Sequence, residues 1–508
     1  MIKIKYSWIK GFSLMLLALP AMLFFLTWLK LYISIPAVIV LALGLYFSIK
    51  DTKDKESFEI PLYAIIVIIV LIAIWAILSG QGGFFTQKAD HLYRNHIFKD
   101  MINYKWPLLY NNANDEGLVY YVGYWIVPAL AGKFSLFLST NTNLSWIVAN
   151  VALVIWTVLL LLSVMLLLVY NLKAESTKKI FLILFILVFF SGMDFLGIKI
   201  REILINNTFA HWEHIEWWSG DFQYSSNSTQ LCWVFNQAVP AWIATALFIG
   251  EKNLKSYALI GLLLLPTSPL PLIGLTIIML VCGIQKMFIS IKNKEFKEYT
   301  KEIFSVPNLA GLIALLPIYA LYYQKNAISS TGGTGLRTSM VAFNDGINSM
   351  IIYVAFILVE FLILSLLLIK YNKNAMYFCA VIELIIFPFV YFGSASDFVM
   401  RASIPALFII MFALQRYLIQ LNKNKKTDGI LEKTKTDFLK IAIIACFIFG
   451  MATPIAEYSY SINLMIRTQG KIRVIYEGSS LSDLPLDGKM NFVCTDAHNT
   501  LFYKYLAR

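Results

Sequence analysis

The stretch Ile60-Pro-Leu-Tyr-Ala-Ile-Ile-Val-Ile-Ile-Val-Leu-Ile-Ala-Ile-Trp-Ala-Ile-Leu-Ser79 carries no charged side chain, and about 20 such residues suffice for a helix to cross ~30 Å of hydrocarbon. Its apolar positions are continuous. A barrel strand would instead alternate apolar and polar residues over about 10 positions. Similar runs extend outward in both directions, at Gly11 to Leu29 and 31–48 before it, and near 146–170, 179–198, 231–250, 304–323, 347–369, 375–392, 403–420 and 439–456 after it. Across 508 residues, 59% are apolar and 14% charged, with a mean hydropathy of +0.69. In water that balance would leave far too much apolar surface exposed. The solvent is therefore a bilayer, and the fold class is all-α: a polytopic transmembrane helical bundle.

Lys3, Lys5 and Lys10 precede the first run, as in a signal peptide, but no small-residue cleavage site follows. Trp28, Lys30 and Tyr32 lead directly into the next run, so a retained helical hairpin is expected. Of Cys232, Cys282, Cys379, Cys446 and Cys494, only the last lies outside an apolar segment, which leaves no disulfide framework. The net charge of +12 does not point to nucleic acid, because the basic residues sit in short connectors, where they set topology. Clusters at the N-terminus, Lys173 to Lys179, Lys252 to Lys255, Lys286 to Lys301, Lys370 to Lys373 and Lys423 to Lys440 are all placed in the cytoplasm by the positive-inside rule.

Parity then singles out Leu118 to Leu138. If this segment crossed, every later basic connector would be inverted, so it is expected to lie in the outer interface without a net crossing. Tyr120, Tyr121, Tyr124 and Trp125 suit that position, and Pro128 and Lys133 interrupt the run. Between Lys255 and Lys286 both flanks are basic while Pro266, Pro269 and Pro271 break the middle, which predicts a hairpin of two short helices. The expected organisation is an N-terminal transmembrane hairpin (1–58), a core (59–456) with outer loops 80–144, 199–230, 325–346 and 392–402, and an extracytoplasmic tail (457–508). About thirteen crossings result, in a multi-pass cell membrane protein with the N-terminus cytoplasmic and the C-terminus outside.

With this topology, His91, His96, His211, His214 and His498 all fall on the outer side, together with most of the acids outside the inner connectors. A site, if present, opens outward. Asp90 and Arg94 are four residues apart, so on a helix they share a face. Such a carboxylate can act as general base toward an acceptor hydroxyl while Arg94, with His91 and His96 nearby, binds phosphate. The alternative is an interfacial ion pair that solvates a helix start. In the second cluster, His211-Trp212-Glu213-His214-Ile215-Glu216-Trp217-Trp218, helical spacing would put His211 and His214 on one face. That permits a divalent metal, but His-x-x-His without a third fixed ligand is a weak signal and no cofactor is firmly implied. Trp217 and Trp218 serve either as interface anchors or as faces of a sugar groove, with Glu213 and Asp221 as reserve bases. In the third, Asp397 and Arg401 are again four apart at a helix mouth, where a guanidinium can grip phosphate with two prongs or the pair can merely cap the helix. Arg201 and Arg337 are further candidates for phosphate. The loop Thr331-Gly-Gly-Thr-Gly-Leu-Arg337 lacks the spacing and Lys of a nucleotide-binding loop and reads better as a flap.

These features resemble the GT-C superfamily of polytopic glycosyltransferases, which use polyprenyl-phosphate-linked sugars. The likeness spans most of the chain: the Ile60 to Ser79 helix feeds a long first outer loop with an early acid, Asp90, followed by surface helices, many spans and an outer C-terminal segment. Bacterial membrane proteins with similar Asp-rich, Trp-Pro and Asp-x-x-x-Arg segments are also similar to it. The resemblance implies Asp90 as catalytic base, a polyprenyl-phosphate sugar donor held in membrane lipid, and a glycan or lipid acceptor. The chain departs from the family in having no Asp-Asp or Glu-x-Asp pair at the start of that loop, no Trp-Trp-Asp-type motif, and two extra N-terminal helices. Two rival readings are a polysaccharide polymerase or ligase using lipid pyrophosphate donors, and a lipid-linked glycan flippase or transporter. For the latter, Glu360 and Glu383 are the acids clearly in mid-span.

Overall fold

A computed structural model describes the chain except residues 1, 53–56, 111–113, 206–207, 221, 326–333, 337–346, 393–396, 421–429 and 472–478. It is an all-α membrane protein. Eight helical segments among the described residues are long and apolar enough to span a bilayer, and shorter apolar helices cover Leu62–Leu78, Phe235–Gly250, Ala375–Phe389 and Ile404–Gln420.

In chain order, β1 (Ile2–Lys5) leads into α1 (Tyr6–Trp28), which forms the expected hairpin with α2 (Leu31–Lys50); β2 (Ser57–Ile60), α3 (Leu62–Leu78), α4 (His91–Asn103), α5 (Gly123–Ser139), the 30-residue α6 (Thr142–Asn171), α7 (Thr177–Phe189), α8 (Asp194–Ile205), α9 (Asn227–Trp233) and α10 (Phe235–Gly250) follow. The hairpin is built into the bundle: Ser163 donates to Ser13 (2.7 Å), and Lys10 pairs with Glu251 (2.6 Å) although both are almost fully buried. On α2 and α3 the side chains of Ile39, Leu43 and Tyr46, and of Ile66, Val70 and Ile74, remain exposed at helical spacing. Only hydrocarbon makes such stripes inexpensive.

The segment after Lys255 differs from the expectation of two short helices. It holds a six-residue helix, α11 (Tyr257–Leu262), and then a 24-residue helix, α12 (Pro269–Lys292). Proline at the start of α12 explains the asymmetry, since the first helical turn has no intrahelical use for the missing N–H. Gly123 N donates to Pro266 O (2.9 Å), fixing the start of α5 against this turn. In the segment Leu118 to Leu138, the first residue ends a strand, β4 (Glu116–Leu118), and α5 supplies the rest; its Tyr124, Trp125 and Ile126 are buried against the bundle.

The two ends of the bundle differ chemically. At one end Lys255 meets Asp51 (3.1 Å), Lys286 meets Glu302 (2.5 Å) and Tyr63 meets Thr177 (2.9 Å). At the other, Ser79 meets Tyr458 (2.9 Å), Gln81 donates to Leu231 O (3.0 Å) and Lys30 N donates to Leu506 O (2.9 Å). The lysine-rich connectors and the acid- and histidine-bearing segments thus occupy opposite ends.

The last apolar helix continues past residue 456, as Ala452–Arg467. The tail then folds onto the first long loop: β5 (Val493–Cys494) pairs antiparallel with β4, which pairs with β3 (Leu109–Tyr110). A buried ion pair, Lys489 to Glu116 (2.8 Å), and the hydrogen bonds of Asp100 to Tyr110 and to Leu481 N (2.9 Å each) fasten it. The alternating stretch Ile472, Val474 and Tyr476 lies outside the described residues.

Candidate functional site

Asp90 stands at the start of α4, and Arg94, one turn later, folds back to it at 2.8 Å. The pairing is unequal: Arg94 is 4% exposed and Asp90 41%. The guanidinium also donates to Trp233 O and lies 5.8 Å from the Phe235 ring centroid. Asp397 and Arg401 repeat the arrangement on the short helix Asp397–Ala402, at 2.9 Å, with Arg401 11% exposed and Asp397 33%.

These two pairs, some 300 residues apart in the chain, converge. Arg401 interacts electrostatically with Asp397, Tyr121, Asp90 and Tyr120, and Arg94 with Asp90, Tyr120, Tyr121 and Arg401. A buried and a largely covered guanidinium group therefore share one patch, screened by two partly exposed carboxylates. Among the described residues Arg401 Nε has no hydrogen-bond partner. Gln237 donates to Tyr121 OH (3.0 Å), and its own Oε1 is likewise without a partner among the described residues. Buried donors and acceptors left open in this way are costly unless a ligand completes them.

Helix α12 carries the Asp397 helix. A Cβ on Gly274 would lie 2.1 Å from Ala402 O, so only glycine allows this approach.

A second cluster lies beside the first. Lys88 binds Glu457 (2.5 Å), whose other oxygen faces His214 Nδ1 at 3.7 Å, and Trp233 Nε1 donates to the same carboxylate (3.3 Å). Gln223 Nε2 lies 3.3 Å from His214 Nε2 and donates to Glu216 (3.0 Å), which also accepts from Ser226 N (2.8 Å). Burial opposes the charge on His214, but its bond to Glu457 and the charges of Glu216 and Glu457 outweigh that and raise its pKa. Burial pushes the Glu216 carboxyl up to about 7, against the pull of His214.

The remaining candidates disperse. His91 is buried, donating from Nε2 to Cys232 O (2.9 Å) and stacking 5.4 Å from Phe235; burial and the neighbouring Arg94 lower its pKa to about 4, so it supports the wall as a neutral ring. His96 Nδ1 bonds Leu92 O (2.6 Å), and its other nitrogen faces Ser479 (3.4 Å), away from the arginine pair. His211 and His214 do not share a helix face. Residues 211–214 form a turn closed by His214 N to His211 O (3.0 Å), leaving His211 outside with Glu213 (3.1 Å) and His214 inside. Trp217 lies at the rim against both histidines, whereas Trp218 is fully buried and donates to Glu360 (2.9 Å). Arg201 lies over Phe209 at 5.6 Å. Asp221 and Arg337 lie outside the described residues. Among the described residues no group of three or more His, Cys, Asp and Glu side chains is placed to hold a metal ion.

Sequence reasoning missed Lys88, Glu216, Glu457, Tyr121 and Gln237 as partners. Glu457 could have been suspected, as an acid closing an apolar run; Gln237 gives no signal, because an amide at a helix start is commonplace. No protein-family model, curated protein or solved structure matches this chain.

Proposed function

We propose that the chain is a membrane glycosyltransferase, moving a sugar from a polyprenyl-phosphate-linked donor to a cell-surface glycan, lipid or polymer acceptor on the extracytoplasmic face. The observation that supports this reading is the convergence of the buried Arg94 and the largely covered Arg401, each backed by a more exposed aspartate, at the end of the bundle away from the lysine-rich connectors. Guanidinium groups hold phosphate oxygens in a fixed fork. A site at the rim of the spans lets a polyprenyl tail remain in lipid while its phosphate meets the arginines. Asp90, the more exposed carboxylate, takes the proton of the acceptor hydroxyl. The acceptor oxygen bonds to the anomeric carbon, the bond from that carbon to the phosphate oxygen breaks, and the phosphate leaves with the electron pair, its charge met by Arg94 and Arg401.

Membranes bearing Asp90→Asn should lose glycan product while the purified variant still binds polyprenyl phosphate, and Arg401→Gln should lose both. Unchanged glycan output from Asp90→Asn would remove this assignment.

A second reading, transport of a lipid-linked glycan, draws on the carboxyls of Asp194, Glu360 and Glu383 buried within the bundle. Flux of lipid-linked glycan across proteoliposomes without any new glycosidic bond would favour it.

A further inference from the structure

Helix α7 (Thr177–Phe189) ends at the break Phe190 to Met193, and α8 (Asp194–Ile205) begins there with a buried acid. Opposite it, the helix from Ile347 passes through a π-helical turn, Leu358–Leu362, that turns Glu360 inward. Such turns insert one residue into a helix and re-aim a side chain, commonly where a protein acts. Gly192 makes room for it, since a Cβ there would meet Glu360 Oε2 at 1.9 Å.

The two carboxyl groups lie within hydrogen-bonding reach of each other. Their other partners are few. Asp194 Oδ2 accepts from Thr453 (2.6 Å) and Ser191 (3.2 Å), and Glu360 Oε1 accepts from Trp218 (2.9 Å). Among the described residues Glu360 Oε2 finds no donor, although the residue is only 5% exposed. Two ionised carboxylates have no hydrogen to give each other, and like charges this close in a low-dielectric interior cannot both persist. A single proton between them satisfies the orphaned oxygen and removes one charge.

Among the described residues the surroundings supply no cation that could do this instead. From the turn at Ile215–Ser219 and its flank come Glu216 and His214; from Ala452–Arg467 comes Glu457; from the segment before α4 comes Lys88. On the side of helix Ala375–Ile386 stands Glu383, with Tyr224 between it and Glu360. The charged residues at the far end of α8 are engaged elsewhere: Lys199 binds Glu202 (2.8 Å), and Arg201 lies over Phe209. Lys88 and His214, the two cations within this group, are both turned to Glu457.

We infer that Asp194 and Glu360 form a proton-binding site within the spanning bundle, which exchanges its proton with the outer end along the line of Glu216, His214 and Glu457. The ligand is one proton, held as a carboxyl-to-carboxylate hydrogen bond. The inference stands apart from sugar transfer, because it concerns neither the arginine pair nor Asp90.

The test is infrared spectroscopy of the purified full-length protein in detergent at neutral pH. The carbonyl stretch of a protonated carboxyl should appear in the spectrum of the unaltered protein minus that of Glu360→Gln, and equally in the difference against Asp194→Asn. Either amide can donate where the proton sat, so both variants should fold, which circular dichroism and melting check. Absence of that band from both difference spectra overturns the site. Transfer into D2O then reads the route: Glu457→Gln should slow the deuterium shift of the band several-fold, while an unaltered rate overturns access from the outer end.

Discussion

His91 and His214 are both buried, yet their surroundings drive their protonation in opposite directions. His91 has an arginine beside it and no carboxylate bonded to its ring, and its pKa falls to about 4. Unfolding restores an ordinary imidazole near 6.5, so the unfolded chain binds the proton better below that pH, and stability is lost as pH falls from about 6.5 toward 4. The full effect is about 3 kcal/mol. A His91→Gln variant should flatten this acid-side decline in a melting-temperature profile. Glu216 has the opposite sense, its pKa being raised from 4.5 to about 7 chiefly by burial. The folded protein keeps a proton that the unfolded chain releases, so its contribution is present below about 4.5 and lost as pH rises through about 7. The difference in melting temperature between Glu216→Gln and the unaltered protein should shift in favour of the variant as pH rises from 4.5 to 7; a constant difference would contradict the assignment.

At the scale of elements, the arginine patch is held by helices whose placement rests on close backbone approaches. α12 presents Gly274 to Ala402 O, and the Asp397 helix rides on that contact. Gly274→Ala forces a separation, with an expected cost of about 1–3 kcal/mol and a shift of Arg401 away from Arg94. Polyprenyl phosphate binding should weaken by about tenfold or more if Arg401 moves, measured with the purified protein, while Gly283→Ala on the same helix, where a Cβ meets nothing within 4 Å, should leave it unchanged. Equal binding by the two variants would show that the close approach does not position the arginine.

For the whole molecule, the prediction concerns sidedness. Lys88, three residues before His91, and His214 share the carboxylate of Glu457, so the first long loop and the tryptophan-rich segment face one compartment. Single cysteines at Tyr104 and Trp212, both about half exposed, should react with a membrane-impermeant thiol reagent from the same side. Cysteines replacing Lys297 and Lys373 should react only from the other. Cys282 is partly exposed and is best replaced first, the other native cysteines being buried. Labelling of Tyr104 and Trp212 positions from different sides would dissolve the site.

The all-α class and the helices of the first two apolar runs were legible in the chain because a bilayer imposes its thickness on every apolar run and leaves backbone hydrogen bonds no option but the helix. The two Asp-x-x-x-Arg pairs were legible for the same reason, as four-residue spacing is a local property of a helix. That the pairs meet was not, since nothing local links residue 94 to residue 401. Likewise His-x-x-His suggested a shared face at 211 and 214, but the backbone there makes a turn and sends one ring to solvent and the other to Glu457. The long α12 replaced one of two expected short helices because proline at a helix start permits what proline inside a helix forbids. Sequence determined which segments enter the membrane, through hydrophobicity summed along each run. Tertiary packing decided which polar side chains share a buried space, and burial fixes their charge only once distant segments have closed around them.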